Sequence, residues 1–371
     1  VAGESSGDLL AGLLISGILK RWPDAHIYGI GGPAMCELGF KALWPSHKLS
    51  VRGYFEVLKH FREILAIRRE LKKTLLANPP DLFIGVDAPD FNLSLERDLK
   101  NAGIKTLHFV CPSIWAWRAN RAQKLGASVD HVLCIFPFEP AILHKYGIAA
   151  TYVGHPFAQV IPMEVDQAKA RRSLGLDEHR RVITLMPGSR ASEVEHMCPR
   201  FLQAAALLHK QDPSMHFLLP VVPHLQEWIA QLSQTIPVPN LHILPSGAHQ
   251  ALAACDLVLV ASGTATLEAA LFKRPMVIAY HVNWLSYWLI WPQRLLPWIG
   301  LPNILLNRQV VPELLQKRAT PEMMVKEILR LLNSADELSD LRKTFDQLHL
   351  ELDKDTPTLA TRVIETLIHG Q

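Results

Sequence analysis

Cysteine is scarce in this chain and unpaired by spacing. Five occur in 371 residues, at Cys36, Cys111, Cys134, Cys198 and Cys255, an odd number with no C-x-x-C unit. Three sit inside apolar strand-like runs, where a thiol packs as a small hydrophobe. That excludes a disulfide scaffold and reads as a reduced, cytoplasmic protein. The histidines form no H-E-x-x-H pair and no other ligand spacing, so no metal is expected. An excess of one charge is also lacking. The formal net charge is +3, which makes no demand for nucleic acid and suits an anionic substrate or a membrane surface. No apolar run is long enough to span a bilayer, because Pro292, Gln293 and Arg294 interrupt the tryptophan- and leucine-rich stretch 284–298. No signal peptide precedes the first motif, and there is neither a repeat period nor a low-complexity segment.

What the chain does have is alternation. Apolar strand-length runs recur at 26–30, 81–86, 105–110, 131–135 and 151–153, with helical stretches between them. A second series occupies 182–185, 216–219, 241–244, 256–260 and 276–279, and a mainly helical region runs from Pro321 to His369. The length is too great for one core. The fold class is therefore α/β, two Rossmann-like doubly wound domains facing a central cleft. The expected division is 1–162, 163–335 and C-terminal helices over 336–371, with the linker near Pro162. Val1-Ala2-Gly3-Glu4 begins as though a strand had just entered its first βα turn, which implies a few strand residues upstream.

Several strand ends carry residues suited to chemistry. Asp256-Leu-Val-Leu-Val260 runs into Ala261-Ser262-Gly263-Thr264 and then a helix, so free backbone N–H groups are presented at that helix start. Gly263 permits close backbone approach, Ser262 and Thr264 add hydroxyls, and Glu268 lies one turn in. A plain capped helix is the alternative for these residues taken alone. After the strand 182–185 comes Met186-Pro187-Gly188-Ser189-Arg190, where Gly188 and Ser189 leave room for phosphate and Arg190 offers a bidentate cation. Glu193 and Glu195 on the following helix read as complements to its N-terminus. Gly3 to Gly7, with Glu4, Ser5 and Ser6 between, form a second glycine-rich loop opening a helix near Leu9. Gly29-x-Gly31-x-x-Ala34 is no dinucleotide fingerprint, since it lacks the later acidic residue and Pro33 stiffens its turn, and no cofactor is expected.

Asp87-Ala88-Pro89-Asp90-Phe91-Asn92 follows the strand ending at Val86. Ligands of open α/β sheets gather at the carboxyl ends of strands. Asp87 is placed there to accept a proton from a sugar hydroxyl, and Asp90 to cap the next helix. Trp115 and Trp117 stack on sugar or acyl chains, or else cover a core. In 54–65 the apolar residues Phe55, Val57, Leu58, Phe61, Ile64 and Leu65 spread around much of a helix flanked by Lys59, Arg62, Arg68, Arg69, Lys72 and Lys73. That pattern reads as an interfacial membrane contact that does not cross the bilayer.

Seen together, Gly3-Glu4-Ser-Ser-Gly7-Asp8, Asp87 to Asn92, Pro112-Ser-Ile-Trp-Ala-Trp-Arg118, Tyr152-Val-Gly-His-Pro156, Leu185 to Arg190, the Ser262-Gly-Thr turn with Glu268, and Leu301-Pro-Asn303 resemble bacterial lipid-A-disaccharide synthases over essentially the whole chain. The resemblance implies a GT-B type inverting glycosyltransferase, without a required metal or cofactor, attached peripherally to the inner membrane. It would transfer 2,3-diacylglucosamine from its UDP derivative to the 6-hydroxyl of 2,3-diacylglucosamine 1-phosphate (lipid X). By the same resemblance Asp87 is the base, and Gly188, Ser189, Arg190, Ser262, Gly263 and Thr264 hold the departing UDP. Glu268 would take the ribose hydroxyls, Asn303 and Gln316 border the nucleotide, and Glu4 borders the cleft from the first domain. The C-terminal helices would return to a first domain, of the same chain or of a second subunit in a homodimer. Two alternatives stand beside this reading: another UDP-sugar transferase or epimerase of the same fold, and a lipid-binding scaffold without catalysis.

Overall fold

The computed structural model describes residues 1–3, 5–49, 54–114, 121–282 and 295–370, with the side chains of Ser5, His47, 54–61 and His224 outside the description. They fall into two compact units, Val1–Pro156 with Leu352–Gln371, and Phe157–Glu351.

The first unit contains α1 (Ser5–Arg21), β1 (Tyr28–Gly31), the one-turn α2 (Pro33–Cys36), β2 (Lys41–Pro45), α3 (Tyr54–Ala77) and β3 (Phe83–Val86). It continues through α4 (Pro89–Asn101), β4 (Thr106–Phe109), α5 (Arg121–Ser128), β5 (His131–Cys134), α6 (Glu139–His144) and β6 (Ala150–Tyr152). Strands β3 to β6 form one parallel sheet in chain order, and β1 pairs with β2 in parallel. Val1 and Ala2 join the two. Ala2 N–H donates to Ile30 O at 2.9 Å on one side, and Val86 N–H donates to Val1 O at 2.8 Å on the other. The order in space is thus β2, β1, residues 1–2, β3, β4, β5, β6. This is the doubly wound order, reversing between residues 1–2 and β3. Ile30, Leu71, Leu95 and Leu99 pack one buried cluster, and Leu125, Val132, Cys134 and Leu143 another.

The second unit takes over within α7 (Pro156–Val160) and runs through α8 (Gln167–Ser173), β7 (Val182–Met186), α9 (Ala191–Gln211), β8 (His216–Val221), α10 (Gln226–Thr235) and β9 (Leu241–Pro245). Next come α11 (Ala248–Ala254), β10 (Leu257–Val260), α12 (Thr264–Leu271), β11 (Met276–Tyr280), α13 (Leu301–Leu305), β12 (Glu313–Leu315), α14 (Pro321–Leu332) and α15 (Ala335–Leu352). Its parallel sheet has the order β12-β11-β10-β7-β8-β9, the doubly wound arrangement again, with the reversal between β7 and β10. Every residue of β10 is fully buried, as expected for a central parallel strand covered on both faces.

The final helix, α16 (Thr356–His369), packs on α1 of the same chain. Gly17 makes this contact possible, because a Cβ there would lie 2.7 Å from Pro357 O and Thr361 Oγ1. Arg21 and Glu365 close the far end with an ion pair at 2.5 Å. The chain therefore changes unit at 156/157 and 351/352, where the sequence suggested 162/163 and 335/336. Helix α15 stays with the second unit, and only α16 returns to the first. Among the described residues no helix is long and apolar enough to cross a membrane.

Candidate active site

In the second unit the chain reversal brings the two phosphate-suited turns side by side. Val260 is in register with Met186, and Ala261 N–H donates to Met186 O at 2.9 Å. Gly188 and Gly263 therefore leave adjacent strands at the same edge of the sheet. Both have backbone angles that side chains disfavour, φ +124° and +121°. Gly263 is the residue before α12, and both it and Thr264 are exposed. Thr266 turns its own N–H and hydroxyl back to Gly263 O, at 3.1 and 2.8 Å, and so fixes the helix start. The opening N–H groups of α12 are left facing outward, with the positive end of the helix behind them.

Several side chains around these turns are already engaged. Arg190 is 77% exposed and pairs with Glu193 at 3.0 Å. The other Glu193 oxygen accepts from Ser189 N–H at 3.4 Å. Glu193 thus reaches back from the first turn of α9 into the Gly188–Arg190 loop. Burial, and then the Glu193 carboxylate, push the Tyr280 phenol above its ordinary range. Glu268 accepts from His249 on α11 at 2.8 Å and is 15% exposed. The Ser262 hydroxyl donates to Ile299 O at 3.2 Å. Gln316 follows β12 in the left-handed region, φ +51°, half-buried at the same sheet edge.

Asn303 is fully buried. Its amide nitrogen donates to Val311 O at 3.0 Å and Glu313 Oε1 at 2.8 Å, while its oxygen accepts from Val310 and Val311 N–H at 2.7 and 3.0 Å. That amide is saturated. No donor or acceptor of this side chain is left over for a nucleotide, and its bonds brace the loop at 310–313.

In the first unit the corresponding reversal brings Gly3 beside Asp87. Asp87 N–H donates to Phe109 O at 2.9 Å, and both Asp87 and Ala88 are left-handed, φ +51° and +43°. Two consecutive non-glycine residues in that region mark a backbone held by its surroundings. The Asp87 carboxylate is half-exposed and has no hydrogen-bond partner among the described residues. Asp8 of the first loop is turned inward and buried, accepting from Gly32, Ala34 and Met35 N–H at 2.8, 2.9 and 3.2 Å. That carboxylate fills the N-terminus of α2.

Ser6 is exposed at the start of α1. Glu4, the Ser5 side chain and Trp115 to Arg118 lie outside the described residues, as do the side chains of Phe55, Val57, Leu58 and Phe61. Ile64 is half-buried against the core of its own unit, and Leu65 is half-buried. His249 and Tyr280 were not picked out by sequence, and Glu193 was read only as a complement to the α9 N-terminus. Nothing in spacing links His249 to a glutamate 19 residues later. His155, from the Tyr152-Val-Gly-His-Pro156 motif, is buried beside Phe136 with ring centroids 5.4 Å apart. Burial lowers its pKa to about 3.

A family model described as lipid-A-disaccharide synthetase matches residues 1–364. The chain belongs to that family. It is 53% identical over 376 residues to the lipid-A-disaccharide synthase of Albidiferax ferrireducens, covering 100% of this chain and 97% of that protein. To the enzyme of Verminephrobacter eiseniae it is 52% identical, covering 99% and 96%. Solved structures share the fold at low identity. A protein of Listeria monocytogenes named putative UDP-N-acetylglucosamine 2-epimerase superposes with a TM-score of 0.69 at 12% identity, over 100% of this chain and 96% of that one. The UDP-GlcNAc 2-epimerase of Neisseria meningitidis, bound to UDP-GlcNAc, gives 0.61 at 12%, over 98% of each. The glycotransferase of kitacinnamycin gives 0.62 at 15%, over 98% and 96%. The α/β fold of GT-B type expected from sequence is the one found, and this family member is a glycosyltransferase of lipid A synthesis.

Proposed function

We propose that the enzyme transfers 2,3-diacylglucosamine from its UDP derivative to the 6-hydroxyl of 2,3-diacylglucosamine 1-phosphate, with inversion, releasing UDP and a β-1,6-linked disaccharide 1-phosphate. The observation that carries the nucleotide half of this reading is the register of Val260 with Met186, which sets the Gly188–Arg190 and Ser262–Thr264 turns side by side at a chain reversal. UDP-GlcNAc in the Neisseria epimerase, a protein of the same fold, is consistent with a UDP-sugar there. Arg190 and the first N–H groups of α12 would neutralise the diphosphate, and Glu268, oriented by His249, would accept from the ribose hydroxyls.

The reaction then follows from the free carboxylate of Asp87. Asp87 takes the proton of the acceptor 6-hydroxyl as that oxygen bonds to C1 of the donor sugar. The bond from C1 to the diphosphate oxygen breaks on the opposite face, and its electron pair leaves with UDP. Arg190 and the helix start stabilise the charge that builds there, an effect of about 10²–10³ in rate for one well-placed donor. Asp87 afterwards returns its proton to water. The acyl chains of both substrates would account for the apolar residues Phe55, Val57, Leu58 and Phe61 at the start of α3 and for attachment to the cytoplasmic face of the inner membrane. An epimerase reading rests on fold alone, whereas identity above half supports the synthase.

The test is turnover of both substrates in detergent micelles containing EDTA, comparing wild type with Asp87→Asn. Transfer that survives EDTA and is lost in Asp87→Asn, with UDP binding retained, is the expected result. An undiminished variant would remove Asp87 from the chemistry.

A further inference from the structure

Behind the Asp87 turn lies a buried polar cluster that the proposed chemistry does not use. Asn92, on the first turn of α4, is fully buried, as are Glu96 one turn on and His108 of β4. His108 Nδ1 and Glu96 Oε1 are 2.7 Å apart. The Asn92 amide nitrogen donates to Asp87 O at 2.9 Å and also lies 3.4 Å from Val1 O. Those two carbonyls belong to the two chain segments that leave the sheet on either side of its reversal. One leads into the loop at Gly3, and the other is the proposed base itself.

We infer that Asn92 is a positioning residue for the reaction, its buried amide holding the Asp87 turn in its left-handed form and tying it to the first loop. This rests on the reading of Asp87 as the base. Asp87 and Ala88 at φ +51° and +43° lie where non-glycine residues go only when something over-determines them. The helix supplies part of the constraint, since Phe91 and Asn92 N–H both donate to Ala88 O at 3.0 Å. Asn92 Nδ2 adds a side-chain bond from inside the core to the Asp87 carbonyl. The register is fixed by Gly85, two residues before Asp87. A Cβ on Gly85 would lie 3.0 Å from Asn92 Cβ and 2.1 Å from Glu96 Oε1, so strand and helix meet here with no room for a side chain. Asn92 Oδ1 has no partner among the described residues. Its role is therefore that of a donor.

The experiment is a double-mutant cycle of Asp87→Asn and Asn92→Ala in the full chain, with kcat, KM for each substrate, UDP binding and thermal midpoint read for each variant. Asn92→Leu, which keeps the branched heavy-atom skeleton and removes both polar ends, replaces Asn92→Ala if the latter fails to fold. Loss of the anchor is expected to lower kcat by roughly 10- to 100-fold, the range for sub-ångström to 1 Å misplacement of a reacting group. UDP binding and the KM for the UDP-sugar stay at wild-type values. In the Asp87→Asn background the second substitution has no further effect. Ala88→Gly, which relaxes the left-handed turn, is expected to recover part of the kcat lost in Asn92→Ala. A folded Asn92 variant with wild-type kcat overturns the inference, and so does an undiminished effect in the Asp87→Asn background. If Asp87→Asn itself turns over normally, the reading of Asp87 as base has failed, which is a separate result.

Discussion

Gly263→Ala isolates backbone conformation from every other effect at the candidate nucleotide turn. Gly263 has φ +121° and ψ −163°, a region that is essentially glycine-only and costs other residues about 1–3 kcal/mol. A Cβ there meets no heavy atom within 4 Å, so no steric contribution arises. Alanine also restricts the unfolded chain, which returns about 0.4–1 kcal/mol to stability. The net expectation is ~1–2 kcal/mol against the native turn. If the turn keeps its shape, the cost appears as a lower thermal midpoint, roughly 2–8 °C for a unit of this size. If the turn relaxes instead, the cost appears in binding, as UDP affinity weaker by roughly 5- to 30-fold. Calorimetric titration with UDP and a melting curve on the same sample read both. Gly188→Ala is the paired control. There the Cβ would also lie 2.8 Å from Glu193 Cβ and Oε2, so it disturbs the Arg190–Glu193 pair as well and has the larger effect. Wild-type affinity together with a wild-type midpoint in Gly263→Ala would refute the argument.

Three further outcomes are expected. Arg190→Ala lowers kcat by about 10²–10³ while leaving the melting curve unmoved, since a 77%-exposed arginine adds little to stability through its surface pair; equal losses in both would make the residue structural. Asn303→Leu leaves Val310 and Val311 N–H unsatisfied in the core and destabilises the second unit by roughly 2–5 kcal/mol in urea unfolding, and a stable variant defective only in UDP binding would put Asn303 in direct contact with nucleotide. His155 is held neutral by burial, with its folded pKa near 3 against 6.5. Between those values only the unfolded chain takes up the proton, so stability falls as pH drops through that window. His155→Gln flattens this slope, and an unchanged slope counts against it.

The parts legible in sequence were those fixed locally or by continuous burial. Central strands such as β10 read as unbroken apolar runs because both faces are covered. The turns at Gly188 and Gly263 were legible because only glycine suits their backbone. Strands β2 and β12 escaped notice. Both are short edge strands, and Lys41–Pro45 is half-exposed with little apolar pattern. The boundary at 351/352 was also hidden. The apolar stripe of α15 shows that it packs, and not on which unit. Asn303 and Asp8 have polar side chains beside turns, which sequence cannot distinguish from ligand contacts; their partners are fixed only once the loops fold. Glu268 and His249 meet across neighbouring helices for the same reason.

The most direct test of the account is the anomeric configuration of the product formed from UDP-2,3-diacylglucosamine and 2,3-diacylglucosamine 1-phosphate by the wild-type enzyme. Proton coupling at C1 of the new linkage in the purified disaccharide reports it. A β-1,6 linkage, with UDP released in equal amount, is the result predicted by single displacement with Asp87 as base. An α linkage would contradict inversion, and a recovered UDP-sugar epimerised at C2 with no disaccharide would contradict the transferase itself.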